Sequence, residues 1–138
     1  MIEESYVSFD TAKLLKEAGF DVPCTSQYTD NGFGWDNLSR VNYNSCESLF
    51  SRPTQALAAR WLREKHRIAL DVAFILPSVD GDVWQYFVGE MDDMIWEGEY
   101  ETGRKYATYE EAFEAGLQEA IKLVTKSDHY ERDTEEKD

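Results

Sequence analysis

Apolar side chains recur at helical spacing in two places in the first half of the chain. The first helix is expected over Ser8–Ala18, with its first residue as N-cap and Gly19 as its left-handed end. The second is expected over Ser51–His66, again with its first residue as N-cap and with Pro53 in the first turn. Between them Asp21–Phe50 has no regular period but many aromatic residues, which predicts a long ordered loop over the core.

After the second helix the period of the apolar residues changes to two, which predicts strands. Strands are expected over about 68–76, 83–91 and 94–100. The Asp80-Gly81 pair is typical of a hairpin, so the strands are predicted to form an antiparallel sheet. The helices are expected to pack on the face that carries alternate residues of the first strand, namely Ile68, Leu70, Val72 and Phe74.

The last helix begins with a capping box formed by Thr108 and Glu111, and it is expected to run to about Thr125. Residues 126–138 are charged and lack an apolar stripe, so we expect a disordered tail there. The sequence therefore predicts a single α+β domain over residues 1–125. Its order is α-loop-α-β-β-β-α, with a three-stranded antiparallel sheet flanked by helices.

The net charge of −14 over 138 residues restricts the possible partners. Proteins that bind phosphate backbones or anionic lipids need clustered Lys and Arg, and a surface this acidic repels both ligands. We expect no direct binding to nucleic acids and none to membranes. The acidic start of the chain differs from a secretion signal, and no apolar run is long enough to span a bilayer, so a cytoplasmic location is expected.

Charge is also unevenly distributed along the chain. Residues 51–77 carry an excess of arginine, whereas residues 78–103 carry many carboxylates and no lysine or arginine. Two interpretations stay open: the two segments complement each other within the fold, or the acidic hairpin docks onto a basic partner.

Large aromatic residues on the predicted strands provide a second surface. The face away from the helices carries either Trp84 and Tyr86 or Val83 and Phe87, with Trp96 or Ile95 from the third strand, and both alternatives leave large apolar groups there. We expect Trp84, Tyr86 and Trp96 on this face, which the Tyr28–Phe50 loop, a second copy of the chain or a partner must cover. The candidate interaction surface joins these aromatic residues to the acidic ones, and it consists of Trp84, Tyr86, Trp96, Glu90, Asp92, Asp93, Glu97 and Glu99.

Residues able to bind a metal or to act as nucleophiles are few. Cys24, Cys46, His66 and His129 lack the paired spacing of a zinc site, and the turns rich in Asp lack the closing glutamate of a calcium loop. No metal, cofactor or catalytic residue is predicted, and both cysteines are expected to be free thiols. Any dyad would need His66 with Cys24 or Cys46.

Three short segments carry a resemblance: Ala12–Phe20, Pro53–Leu57 and Thr108–Ala112. They look like a family of small uncharacterised proteins of bacterial genomes and their phages, a domain of unknown function, which implies the domain boundaries and no activity. The order helix, three strands, helix also resembles the double-stranded RNA-binding domain. That family holds phosphates with a lysine pair where this chain has Glu110 and Glu111, so the resemblance implies topology without RNA binding.

These observations favour a non-enzymatic protein-interaction module that binds a protein partner or forms a homodimer. Two alternatives belong to other classes. The first is an acidic inhibitor that mimics nucleic acid and occupies the groove of a nucleic-acid-binding protein. The second is a small enzyme that uses carboxylates and His66.

Overall fold

The computed structural model describes residues 3–78, 81–92, 95–98 and 105–136. Its helices and strands are α1 (Phe9–Glu17), β1 (Cys24–Thr29), β2 (Gly34–Val41), a 3₁₀ turn (Tyr43–Ser45), β3 (Leu49–Ser51), α2 (Gln55–His66), β4 (Ile68–Ser78), β5 (Gly81–Glu90), β6 (Ile95–Gly98) and α3 (Tyr109–Glu136). The strands form two antiparallel sheets, ordered β2-β1-β3 and β4-β5-β6. The predicted α+β class and the predicted three-stranded sheet are confirmed.

The ends of α1 agree with the sequence. Ser8 accepts a hydrogen bond from the Thr11 backbone N–H at 3.2 Å, which satisfies one of the free amides of the first turn. Gly19 has a φ of 91°, where a residue with a side chain would be strained, and the chain then turns so that Phe20 is buried. Its ring packs edge-on against Trp61 of α2 with the ring centroids 5.2 Å apart.

The start of α2 differs from the prediction. Its N-cap is Thr54, whose hydroxyl accepts from the Leu57 amide at 3.2 Å, and the helix begins one residue later. Ser51 cannot act as the cap because it belongs to β3, where it pairs with Gln27 of β1. Pro53 therefore precedes the helix rather than lying in its first turn.

The sheet β4-β5-β6 packs against α3 through one face. Leu70 lies opposite Val88 and Val72 lies opposite Tyr86, and all four side chains belong to the core cluster or pack against it. Gly116 of α3 allows the closest approach: a Cβ at this position would lie 3.0 Å from Tyr86 Cβ and would collide with Leu70 Cδ1. The predicted packing of helices on the face of Leu70 and Val72 is confirmed.

The segment Asp21–Phe50 is not a loop, and the prediction of one was wrong. It contains β1, β2 and the 3₁₀ turn, which with β3 form the second sheet. β1 alternates buried and more accessible residues, but its buried positions include Ser26, which is fully buried. The pattern was missed because small polar residues occupy inward positions, where periodicity analysis expects apolar ones.

The last helix begins as predicted, with the Thr108 hydroxyl accepting from the Glu111 amide at 3.1 Å. It does not end near Thr125, because the backbone continues as a helix to Glu136. Whether residues 126–138 contribute to the stability of the domain stays a prediction. Within the ranges described, no helix is both long enough and apolar enough to cross a membrane.

A polar cluster joins the three helices. Glu114 of α3 accepts hydrogen bonds from the Ser8 amide at 2.7 Å, from the Thr11 hydroxyl and from the Gln55 side-chain amide at 3.0 Å. Gln118 donates to the Thr11 hydroxyl oxygen at 3.1 Å. Because Thr11 is fully buried and Gln55 nearly so, this cluster fixes how α1 and α2 meet α3.

Candidate interaction surface

The aromatic residues predicted to face away from the helices do not share such a face. Tyr86 is 4% exposed and lies opposite Val72 on the helix side of the sheet. Trp84 lies opposite Phe74, and its ring contacts Tyr109 of α3 with the centroids 5.6 Å apart. The prediction that Trp84 and Tyr86 lie behind the sheet was therefore wrong.

The remaining members of the predicted surface are scattered. Asp92 is exposed but forms an ion pair with Arg67 at 2.8 Å, so part of the acidic segment is complemented within the chain. Glu90 lies opposite Ile68 at the start of β4. Trp96 and Glu97 lie in β6, opposite Gly89 and Val88, whereas Asp93 and Glu99 lie outside the described residues.

The exposed apolar side chains concentrate in β2 and the turn before it. We call this surface the β2 patch; its residues are Phe33 (70% exposed), Trp35 (60%), Leu38 (106%) and Val41 (43%). β2 is at the edge of its sheet, and all eight of its residues are exposed. Because successive side chains of a strand point to opposite faces, no described element covers either face of β2. A soluble domain rarely exposes several large apolar side chains in one short segment without a binding function.

An irregularity in the pairing of β1 with β2 explains the exposure of Leu38. Asp36 pairs with Ser26 and Val41 pairs with Cys24, so four residues of β2 stand opposite a single residue of β1. The segment Asn37–Arg40 must therefore arch away from β1, as a β-bulge does. Its side chains gain no cover from the neighbouring strand.

A shallow cavity lies beside the aromatic end of the β2 patch. Its volume is about 620 Å³, and its walls are Thr29, Asp30, Asn31, Phe33, Gly34 and Trp35. The two aromatic side chains thus border a concave surface that also presents polar groups. An apolar anchor beside polar groups is the usual composition of a protein-binding site.

The two thiols and the imidazole named in the enzymatic alternative lie in different surroundings. Burial raises the pKa of the Cys24 thiol to about 11, so it stays protonated at neutral pH. Cys46 is exposed, and hydrogen bonds from Ser48 lower the pKa of its thiol. The larger effect comes from the Ser48 backbone amide and the smaller from its hydroxyl. The His66 ring packs edge-on against Trp61 with the centroids 4.7 Å apart. Among the described residues no three His, Cys, Asp or Glu side chains are grouped so that they could hold a metal ion.

The aromatic content of residues 28–50 was the sequence signal for the β2 patch, but it was interpreted as cover for the core. Tyr28 and Phe50 do serve that purpose, since both rings contact Phe9 with centroids 5.4 Å apart. The sequence pattern could not distinguish Tyr28 and Phe50 from Phe33 and Trp35, because the exposure of each ring depends on whether another element packs over it.

Comparisons of the chain with protein-family models, with curated proteins and with solved structures found no match. The two resemblances drawn from the sequence stay predictions.

Proposed function

We propose that this protein is a non-enzymatic interaction module that binds a protein partner through the β2 patch. The observation that carries the proposal is the grouping of three exposed apolar side chains at one edge strand, Trp35 and Leu38 in β2 and Phe33 directly before it. Edge strands offer unpaired backbone groups as well as side chains, so a partner could add a strand and bury the aromatic rings in the same contact.

The available apolar surface is large enough to anchor a partner. Each exposed aromatic ring offers on the order of 100 Å² of apolar area, and Leu38 adds a similar amount. At about 25 cal/mol per Å², burial of these three side chains yields roughly 7 kcal/mol before the costs of association are subtracted. This matches the pattern in which a few central residues supply most of the binding energy.

The test compares two double variants of the full chain. The first, Trp35→Ser with Leu38→Ser, removes the anchors; the second, Asn37→Ala with Ser39→Ala, changes exposed polar positions of the same strand. A photo-crosslinking amino acid at Phe33 identifies the molecule in contact. We expect one specific partner for the wild type and the polar variant, and its loss when the anchors are removed.

Light scattering on the same proteins separates the two kinds of partner. If the crosslink is to a second copy, the wild type should be a dimer and the variant without anchors should be a monomer with an unchanged circular dichroism spectrum. Equal crosslinking by both double variants, or a monomer that captures nothing at Phe33, would refute the proposal.

A further inference from the structure

A second cavity lies on the other side of Arg52 and has a different chemistry. It is bounded by the N-terminal segment, the start of β1, the end of β2 and the start of α2, and its volume is about 430 Å³. Three arginines from separate parts of the chain are among the residues that line it, Arg40, Arg52 and Arg60, and Glu4 is the one acidic residue among them. In a chain with a net charge of −14, this local excess of positive charge is unexpected.

Arg52 is held in a fixed position. Its guanidinium carbon lies 4.2 Å from the centre of the Tyr6 ring and 5.0 Å from the centre of the Tyr28 ring. Its Nη1 donates to the Ser26 hydroxyl at 3.4 Å, and Gly34 leaves room for it, since a Cβ there would lie 2.8 Å from Nη1. Stacking between rings keeps an arginine charged and oriented without a carboxylate partner.

The positive groups of this cavity are incompletely neutralised. Within the described part of the chain, no carboxylate oxygen lies within 4 Å of a guanidinium nitrogen of Arg40 or Arg52, whereas Arg60 is paired with Glu64 at 3.0 Å. Arg52 Nε is also buried without a hydrogen-bond partner in that part. A bound anion would neutralise the charges of Arg40 and Arg52 and accept charge-assisted hydrogen bonds from them, which are stronger than bonds between neutral groups.

We propose that this cavity binds a small organic phosphate monoester, with the phosphate at Arg40 and Arg52. A dianionic group matches the two guanidinium groups that have no carboxylate within 4 Å among the described residues, those of Arg40 and Arg52, and guanidinium groups suit phosphate oxygens geometrically. The organic part would lie against the apolar walls formed by Val22, Pro23 and Leu57. The volume is within the range of small-molecule sites and exceeds what free phosphate needs.

The proposal is tested by isothermal titration calorimetry on the full chain, with phenyl phosphate, inorganic phosphate and acetate as probes. Phenyl phosphate should bind more tightly than inorganic phosphate, because only it uses the apolar walls, and acetate should bind most weakly. Arg52→Gln and Arg40→Gln should each weaken phenyl phosphate binding by about tenfold or more. Arg40 is exposed, so its variant tests binding even if loss of Arg52 disturbs the fold.

Arg63→Gln is the matched control, because it removes the same charge from an exposed position of α2 that does not line the cavity. It should leave the affinity within about twofold of wild type. Equal weakening by all three variants would show a general electrostatic effect and overturn the proposal, as would the absence of heat with 10 mM phenyl phosphate, roughly the limit of weak specific binding. If inorganic phosphate binds as tightly as phenyl phosphate, the proposal that the ligand is an organic phosphate monoester is wrong. The variant Trp35→Ser with Leu38→Ser should bind phenyl phosphate as the wild type does. The test of phosphate binding can therefore fail or succeed independently of the test of partner binding through the β2 patch.

Discussion

Replacement of Glu114 by alanine should be among the most damaging single changes on the surface of α3, although sequence gives no reason to single it out. The carboxylate accepts three hydrogen bonds that connect α3 to the α1 cap, to α1 itself and to α2. The alanine variant leaves all three donors without this acceptor. No other carboxylate in the described part of the chain accepts from both α1 and α2.

The size of the effect follows from what each donor can do next. The Ser8 amide is exposed and can donate its hydrogen bond to water instead. The Gln55 side-chain amide keeps its hydrogen bond to the Glu110 carbonyl oxygen at 3.1 Å. The Thr11 hydroxyl is fully buried and exchanges its bond to the carboxylate for a weaker one to the Ser8 hydroxyl, 3.1 Å away. Because loss of a hydrogen bond to a charged group costs about 1–3 kcal/mol, we expect a loss of about 2 kcal/mol.

The assay is urea denaturation followed by circular dichroism, with the free energy of unfolding obtained by linear extrapolation. Glu119→Ala, at an exposed position within the same helix that makes only a solvent-exposed pair with Lys122, is the control and should change stability by less than about 0.5 kcal/mol. Thr11→Val combined with Glu114→Ala should cost clearly less than the sum of the single changes, since the two side chains interact directly. If Glu114→Ala costs no more than Glu119→Ala, the cluster does not hold the helices together.

Two further predictions concern packing and titration. Gly116→Ala should lower stability by about 1 kcal/mol in the same assay, because overpacking against Leu70 and Tyr86 outweighs a gain in helix propensity of about 1 kcal/mol; increased stability would contradict it. Burial raises the pKa of the Cys24 thiol in the folded protein to about 11, above its ordinary value of 9.0, so the free energy of unfolding should decrease as the pH rises from about 9 to 11. At about pH 7.5 iodoacetamide should modify Cys46 and not Cys24 in the native protein. Mass spectrometry of the digested protein locates the modified thiol, and modification of Cys24 rather than Cys46 would contradict the prediction.

The sequence by itself determined the features that depend on neighbours along the chain. The Ser8 cap, the left-handed Gly19 and the Thr108 cap follow from hydrogen bonds within one helical turn, and each was predicted correctly. The antiparallel hairpin of β4 and β5 was also predictable, because a period of two and a short turn specify it locally. The antiparallel arrangement and the strand order of the β4-β5-β6 sheet could be predicted from the same pattern.

Tertiary structure alone decided which faces and surfaces those elements present. β5 carries large residues on both faces, so local alternation could not tell whether Tyr86 or Phe87 faces the helices, and the register with β4 against α3 selected Tyr86. The side chains of β2 are exposed because no described element packs over either face of the strand, and this depends on how the sheets and helices assemble rather than on the residues of the strand. The cavity proposed to bind a phosphate monoester is lined by Arg40 of β2, by Arg52 between β3 and α2, and by Arg60 of α2. Such a site exists only after folding, because long-range packing sets the distances between its charges.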